Sequence, residues 1–201
     1  PGGTVATDVI YYKGAYGKEF AGIKKIITNN STLFGIDASV YSMWKGNTVT
    51  VSGDLSLEKI ELAIARAIEK GLDKDVVCLL NPLVFGALVA DEAALRKYDS
   101  SYKSEKGENG FRSLKFYAAN GAIEVMPSIY VKQGDCFLLC MKDFMRIGSS
   151  DVTLKVPGTE DQYLKEANDV AAFEMRCWVD SAVFTAYPGR NVLIQGFTIP
   201  S

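Results

Sequence analysis

One stretch constrains the fold of this chain more than any other. Val76-Val77-Cys78-Leu79-Leu80 is wholly apolar and meets Asn81-Pro82, and Leu83-Val84-Phe85-Gly86-Ala87-Leu88 follows at once. A short apolar run of that kind reads as a strand buried on both faces. Asn81 supplies a side-chain oxygen to cap a helix. Pro82 suits the first helical position, because its missing N–H would be unpaired there in any case. The segment is therefore a strand-to-helix corner in a core of mixed α and β structure, and its helix runs towards Ala90.

The other elements are read by periodicity. Leu57, Ile60, Ile64 and Ile68 recur at helical spacing, with Ala63 and Ala67 beside them. Asp54 or Ser56 caps this helix, Glu58 sits in its first turn where the dipole favours negative charge, and Gly71 closes it. Glu58, Glu61 and Glu69 fall on its polar face, where solvation is the ordinary role of a carboxylate. Thr48 to Val51, Gly121 to Pro127, Cys136 to Met141 and Val192 to Phe197 read as strands. Gly148 to Ser150 is expected to break the chain. Ala172 to Tyr187 alternates as one long strand, with Phe173, Met175, Cys177, Val179, Ser181 and Val183 on one side. Thr4 to Phe20 reads as an extended or hairpin segment, and Lys97 to Gly110 as a polar loop.

Composition excludes many chemistries. The 201 residues are 48% hydrophobic, enough for one sizeable domain or two small ones. Net charge is −2 with both signs interspersed, so no basic footprint marks a nucleic-acid groove. No apolar run approaches the ~20 residues that cross a bilayer. No signal peptide is legible, and a start at Pro1 is compatible with an N-terminal piece having been removed. There is no histidine, which rules out Ser-His-Asp and Cys-His catalysis and His-ligated zinc. Cys78, Cys136, Cys140 and Cys177 lie in apolar runs and are expected to be buried, reduced thiols; Cys136 and Cys140 would share one side of a strand. Gly14 to Glu19 contains a Gly-Lys pair but lacks the Ser or Thr and the earlier Gly of a phosphate loop. The expected site is accordingly empty of catalytic, cofactor-binding and metal-binding residues, and no cofactor is expected.

The order of these elements resembles the major capsid protein of tailed bacteriophages, the Hong Kong phage fold shared with encapsulin shells. The capped helix from Leu57 to Lys70, the Val76 to Pro82 corner, Gly121 to Pro127 and the strand ending in Met141-Lys142-Asp143 carry the resemblance. So do the charged-and-apolar strand closing in Ala186-Tyr187-Pro188 and the segment Val192 to Phe197. Phe34 to Trp44 is similar to a linker found in several phage capsid proteins. The resemblance spans residues 34 to 197.

It implies an α+β fold with a mixed sheet and a few helices, made of axial and peripheral parts. Residues 1–48 would be an extended segment on the peripheral side, 49–155 the axial domain, 156–188 the peripheral long strand, and 189–201 a terminal strand returning to the axial domain. The family's N-terminal arm, extended hairpin loop and spine helix are expected to be missing or reduced here. Some members cross-link through an Asn in the region resembled by Asp161-Gln162-Tyr163-Leu164-Lys165. Gln162 stands where that Asn would be, so no cross-link is expected.

The function implied is that of a non-enzymatic structural subunit of an icosahedral phage shell, self-assembling into pentamers and hexamers that enclose the genome. Its partners would be other copies of itself, with scaffold or decoration proteins besides, DNA touched only non-specifically, and no membrane. Its place would be the virion capsid, after assembly in the host cytoplasm. An encapsulin-like nanocompartment shell or a tail or baseplate component is the alternative, and an enzyme a distant one.

Overall fold

The computed structural model describes residues 10–13, 20–72, 75–90, 114–118, 121–159, 161–168 and 170–198. It is an α+β structure that clusters into two compact units, one of Pro1–Phe144 with Thr185–Ser201 and one of Met145–Phe184. The second unit is thus an insertion whose chain leaves after Phe144 and returns at Thr185. Residues 20–48, placed by sequence on the peripheral side, cluster with the first unit.

The first unit is built on six strands: β3 (Asn47–Thr50), β4 (Val76–Leu80), β5 (Leu114–Ala118), β6 (Gly121–Pro127), β7 (Asp135–Cys140) and β12 (Val192–Gln195). Their spatial order is β3-β12-β7-β4-β6-β5, with β3 parallel to β12, β4 parallel to β6, and the other pairs antiparallel. A two-residue turn at Phe34-Gly35, both at positive φ, joins the short strands β1 (Thr32–Leu33) and β2 (Ile36–Asp37).

Strand alternation deals the sheet's side chains to two apolar clusters. Cys136, Leu138, Cys140, Val192 and Ile194 face one cluster with Val76, Cys78 and Leu80. Phe137, Leu139 and Leu193 face the other. Helix α2 (Leu57–Ile68) covers the first face with Leu57, Ile60, Ala63, Ile64 and Ala67, joined by Val84 and Leu88 of α3 (Pro82–Ala90). Helix α1 (Ile23–Ile27) and the segment Ile10-Tyr11 close the second. Every residue of β7 is buried as a result. In β4 only Val76, Cys78 and Leu80 are fully buried, and Val77 and Leu79 are half-covered. The strand buried on both faces is therefore β7 rather than β4.

Helix α2 begins and ends on local signals. The Ser56 hydroxyl accepts from the Lys59 N–H at 3.4 Å, whereas the Asp54 side chain is taken by the Thr198 hydroxyl. At the other end Gly71, with φ +83°, donates to the Ile68 carbonyl while Leu72 N–H reaches back to Ala67, the Schellman arrangement that glycine favours.

The Asn81 corner is doubly tied. Its Oδ1 accepts from Leu83 N–H at 3.0 Å and its Nδ2 donates to the Val131 carbonyl at 2.9 Å, fastening the start of α3 to the β6–β7 turn. Asn81→Ala is expected to cost about 1–3 kcal/mol, because both the cap and a part-buried carbonyl lose their partner. Asn81→Asp, which keeps the cap acceptor but not the donor, should fall between it and the parent. Urea unfolding followed by tryptophan fluorescence measures the order.

Candidate assembly surfaces

The carboxylates and thiols singled out by sequence are dispersed. Glu58 on α2 and Glu69 just beyond its end are exposed, and Glu61 is half-covered. Among the described residues no group of three or more His, Cys, Asp or Glu side chains is placed to hold a metal ion. Gly14 to Glu19 and Lys97 to Gly110 lie outside the described residues. Gln162 precedes the short strand Leu164–Glu166, and its carbonyl accepts from Val156 N–H at 2.8 Å.

The cysteines divide in a way the sequence does not indicate. Cys78 and Cys136 are wholly buried, with sulfurs 3.4 Å apart, on diagonal positions of the β4–β7 ladder. The hydrogen bond shared with Cys78, with burial next, holds the Cys136 thiol well above its ordinary pKa, so it stays protonated. Burial likewise raises Cys140, with the Asp143 charge adding to it. Cys177 is exposed, contrary to expectation. It falls where the chain leaves one strand for the next and packs against no core.

That break is the first correction in the second unit. Ala172 to Tyr187 is not one strand: β10 (Phe173–Met175) pairs antiparallel with β9 (Leu164–Glu166), and β11 (Trp178–Thr185) pairs instead with β8 (Phe144–Thr153). The second correction is Gly148, where β8 runs straight through. A side chain there would collide with the Asp180 carbonyl, so the glycine marks a close approach of β11 rather than a turn.

Burial in this unit is inverted. On the β9–β10 hairpin Leu164 lies directly opposite Met175, and Phe173 opposite Glu166, all on one face. Phe173 is 70% exposed, Met175 60% and Leu164 46%. Lys165 and Glu174, on the opposite face, are the half-covered pair. Met145, Ile147, Val152, Val170 and Val179 are exposed as well. Not one described residue between Met145 and Phe184 is buried. An isolated chain with so little apolar burial cannot offset the entropy of its own ordering, so such a unit needs a surface to lie against.

Two smaller apolar patches occur in the first unit. Val40, Tyr41 and Met43 are exposed around the short 3-10 turn at Ser42–Trp44. Leu83, Ile129 and Tyr130 are exposed on the two segments that Asn81 ties together.

The chain superposes on a subunit of the Cyanophage A-1(L) capsid asymmetric unit with TM-score 0.62 and 12% identity, over 96% of this chain and 64% of that one. The fold is the Hong Kong phage fold. The holo-SrpI encapsulin complex from Synechococcus elongatus PCC 7942 shares it, with TM-score 0.51 and 11% identity over 97% of this chain and 61% of that one. This chain spans less than two thirds of the length of either shell protein. No protein-family model matches the sequence, and no curated protein does either.

Two outcomes follow for this version of the Hong Kong phage fold. In the native protein a bulky thiol reagent should label Cys177 alone; mass spectrometry after denaturation should then find all four cysteines reactive. Phe173→Ser and Met175→Ser should each change the unfolding free energy by less than about 0.5 kcal/mol, since neither side chain is buried in the subunit. Loss of about 3 kcal/mol or more, the cost of emptying a core position, would show that the hairpin packs within its own chain.

Proposed function

We propose that this chain is a structural subunit of an icosahedral bacteriophage capsid, assembling with copies of itself into pentamers and hexamers that enclose the genome. The unit holding the six-stranded sheet would be the axial domain, and Met145–Phe184 the peripheral one. The observation that carries this reading is the second unit itself: a β structure with apolar faces turned outward and no buried residue among those described. Such a unit gains its burial from neighbours. The likeness of the fold to a cyanophage capsid subunit supplies the kind of neighbour, another copy of the same chain.

Shell growth asks each subunit for several contacts that are individually weak, so that misplaced subunits can leave before closure. Three separate apolar patches, each of a few side chains, fit that requirement better than one large dimer face. The resemblance in fold to an encapsulin supports a second reading, in which the shell encloses protein cargo instead of nucleic acid.

Electron microscopy of the protein expressed alone, followed by analysis of the contents of particles from its native source, separates these readings. Closed icosahedral shells containing nucleic acid are expected. Shells loaded with protein would favour the nanocompartment, and tubes or discrete rings a tail component. A protein that stays monomeric at every concentration and ionic strength tried would overturn the shell assignment.

A further inference from the structure

We propose that the first unit carries an oxyanion site, a concave pocket of about 380 Å³ that takes a phosphate group, either free or as part of a nucleic-acid backbone. Lys45, Arg66 and Lys70 line it together with Asn29, Asn30 and Asn47, and no carboxylate does. The three cations come from separate places: Lys45 just before β3, Arg66 from the last turn of α2, Lys70 from just beyond that helix.

These charges are not otherwise employed. Basic residues at a helix C-terminus commonly serve its open carbonyls, but here the backbone does so. Ala65 accepts from Glu69 N–H, Ala67 from Lys70 and Leu72, and Ile68 from Gly71. Among the described residues no ion-pair partner meets Lys45 or Arg66. Among the described residues Lys70 donates to the Lys45 carbonyl, at 2.7 Å, which draws its ammonium towards the Lys45 segment without neutralising it. Burial, then the Lys45 charge, lowers the Lys70 pKa, as expected where positive charge is left uncompensated.

The pocket's floor is fixed and its rim is free. Asn47 donates both amide hydrogens to the carbonyls of Gly189 and Asn191, and Asn29 is closed on Ser31. A side chain at Gly46 would strike the Ile27 carbonyl, so the floor admits only glycine there. Lys45 and Asn30, by contrast, are exposed, and no described residue takes their side-chain donors. Three cations exceed what one carboxylate would balance. An inorganic phosphate carries more than one negative charge near neutral pH, and successive backbone phosphates carry one each, so either matches them. The chain as a whole carries a net charge of −2, so this pocket is a local feature rather than part of a general basic face.

Isothermal titration of the whole chain with inorganic phosphate, and separately with a short single-stranded oligonucleotide, tests the site. Arg66→Gln and Lys45→Gln alter exposed side chains and should leave the circular dichroism spectrum unchanged. Each is expected to weaken binding about tenfold, and the double variant to abolish it. Oligonucleotide binding lost in the same variants assigns the site to backbone phosphates; phosphate binding without oligonucleotide binding assigns it to the free anion. Failure of both probes to bind, or binding that both variants leave intact, overturns the proposal.

Discussion

Strand β7 is the constraint on which the first unit rests. It lies between β12 and β4, and its six residues are buried whichever way they point. Alternation then divides one strand between two cores: Cys136, Leu138 and Cys140 towards α2, Phe137 and Leu139 towards α1. The polar residue at its start, Asp135, is buried and is met by the Lys24 ammonium at 2.8 Å. Lys24 stands on α1, so the charge that burial would otherwise penalise fastens the second cover of the sheet. Tyr11 adds to that cover. Its ring meets Phe137 edge-on, its hydroxyl accepts from Lys132 N–H, and the ammonium of Lys132 lies 4.5 Å from the ring centre. Burial, foremost, raises the Tyr11 hydroxyl above its usual pKa, which keeps it neutral.

The two units solve opposite problems with the same side-chain types. In the first, leucine, isoleucine and valine fill layers on both sides of a sheet. In the second they lie on outward faces while Lys165 and Glu174 take the sheltered positions. Local pairing holds the second unit in shape: the β9–β10 ladder, the β8–β11 pair, and ion pairs such as Lys155–Asp161 and Arg176–Glu174. Exposed pairs of that kind contribute little individually. Apolar burial drives folding more strongly than any other contribution, and this unit lacks it until something covers its faces.

What can be read from the sequence follows the same division. Ser56, the Leu57 to Ile68 periodicity, Gly71, Asn81-Pro82 and the β7 run are legible because each is a local signal, fixed by capping geometry or by spacing. The second unit is less legible because its patterns each have two physical causes. Alternation from Phe173 to Val183 signals a two-faced strand but carries no information on where pairing changes partner, and it changes at Arg176-Cys177. A glycine in a strand marks either a break or a close approach, and Gly148 is the latter because Asp180 lies against it. Apolar neighbours ordinarily surround a thiol with core, which points to a buried Cys177; here those neighbours are themselves exposed. The cationic pocket leaves no local trace, since Lys45 and Lys70 are 25 residues apart and meet only when β3 and α2 pack.

The way the chain enters and leaves the second unit shows why an underpacked insertion does not undo the sheet. Strands β7 and β12 are antiparallel neighbours, so the segment joining them starts and finishes at the same edge of the first unit. That edge is fastened independently of what lies between. Asn191 accepts from Cys140 N–H at 2.9 Å, Asn47 holds the carbonyls of Gly189 and Asn191, and Arg190 reaches Asp143 while covering the Tyr187 ring. These contacts close the loop at its base. Closure entropy grows only logarithmically with loop length, so opening or reshaping residues 145–184 changes little of what the base must hold. The first unit can therefore keep its register whatever shape the second takes.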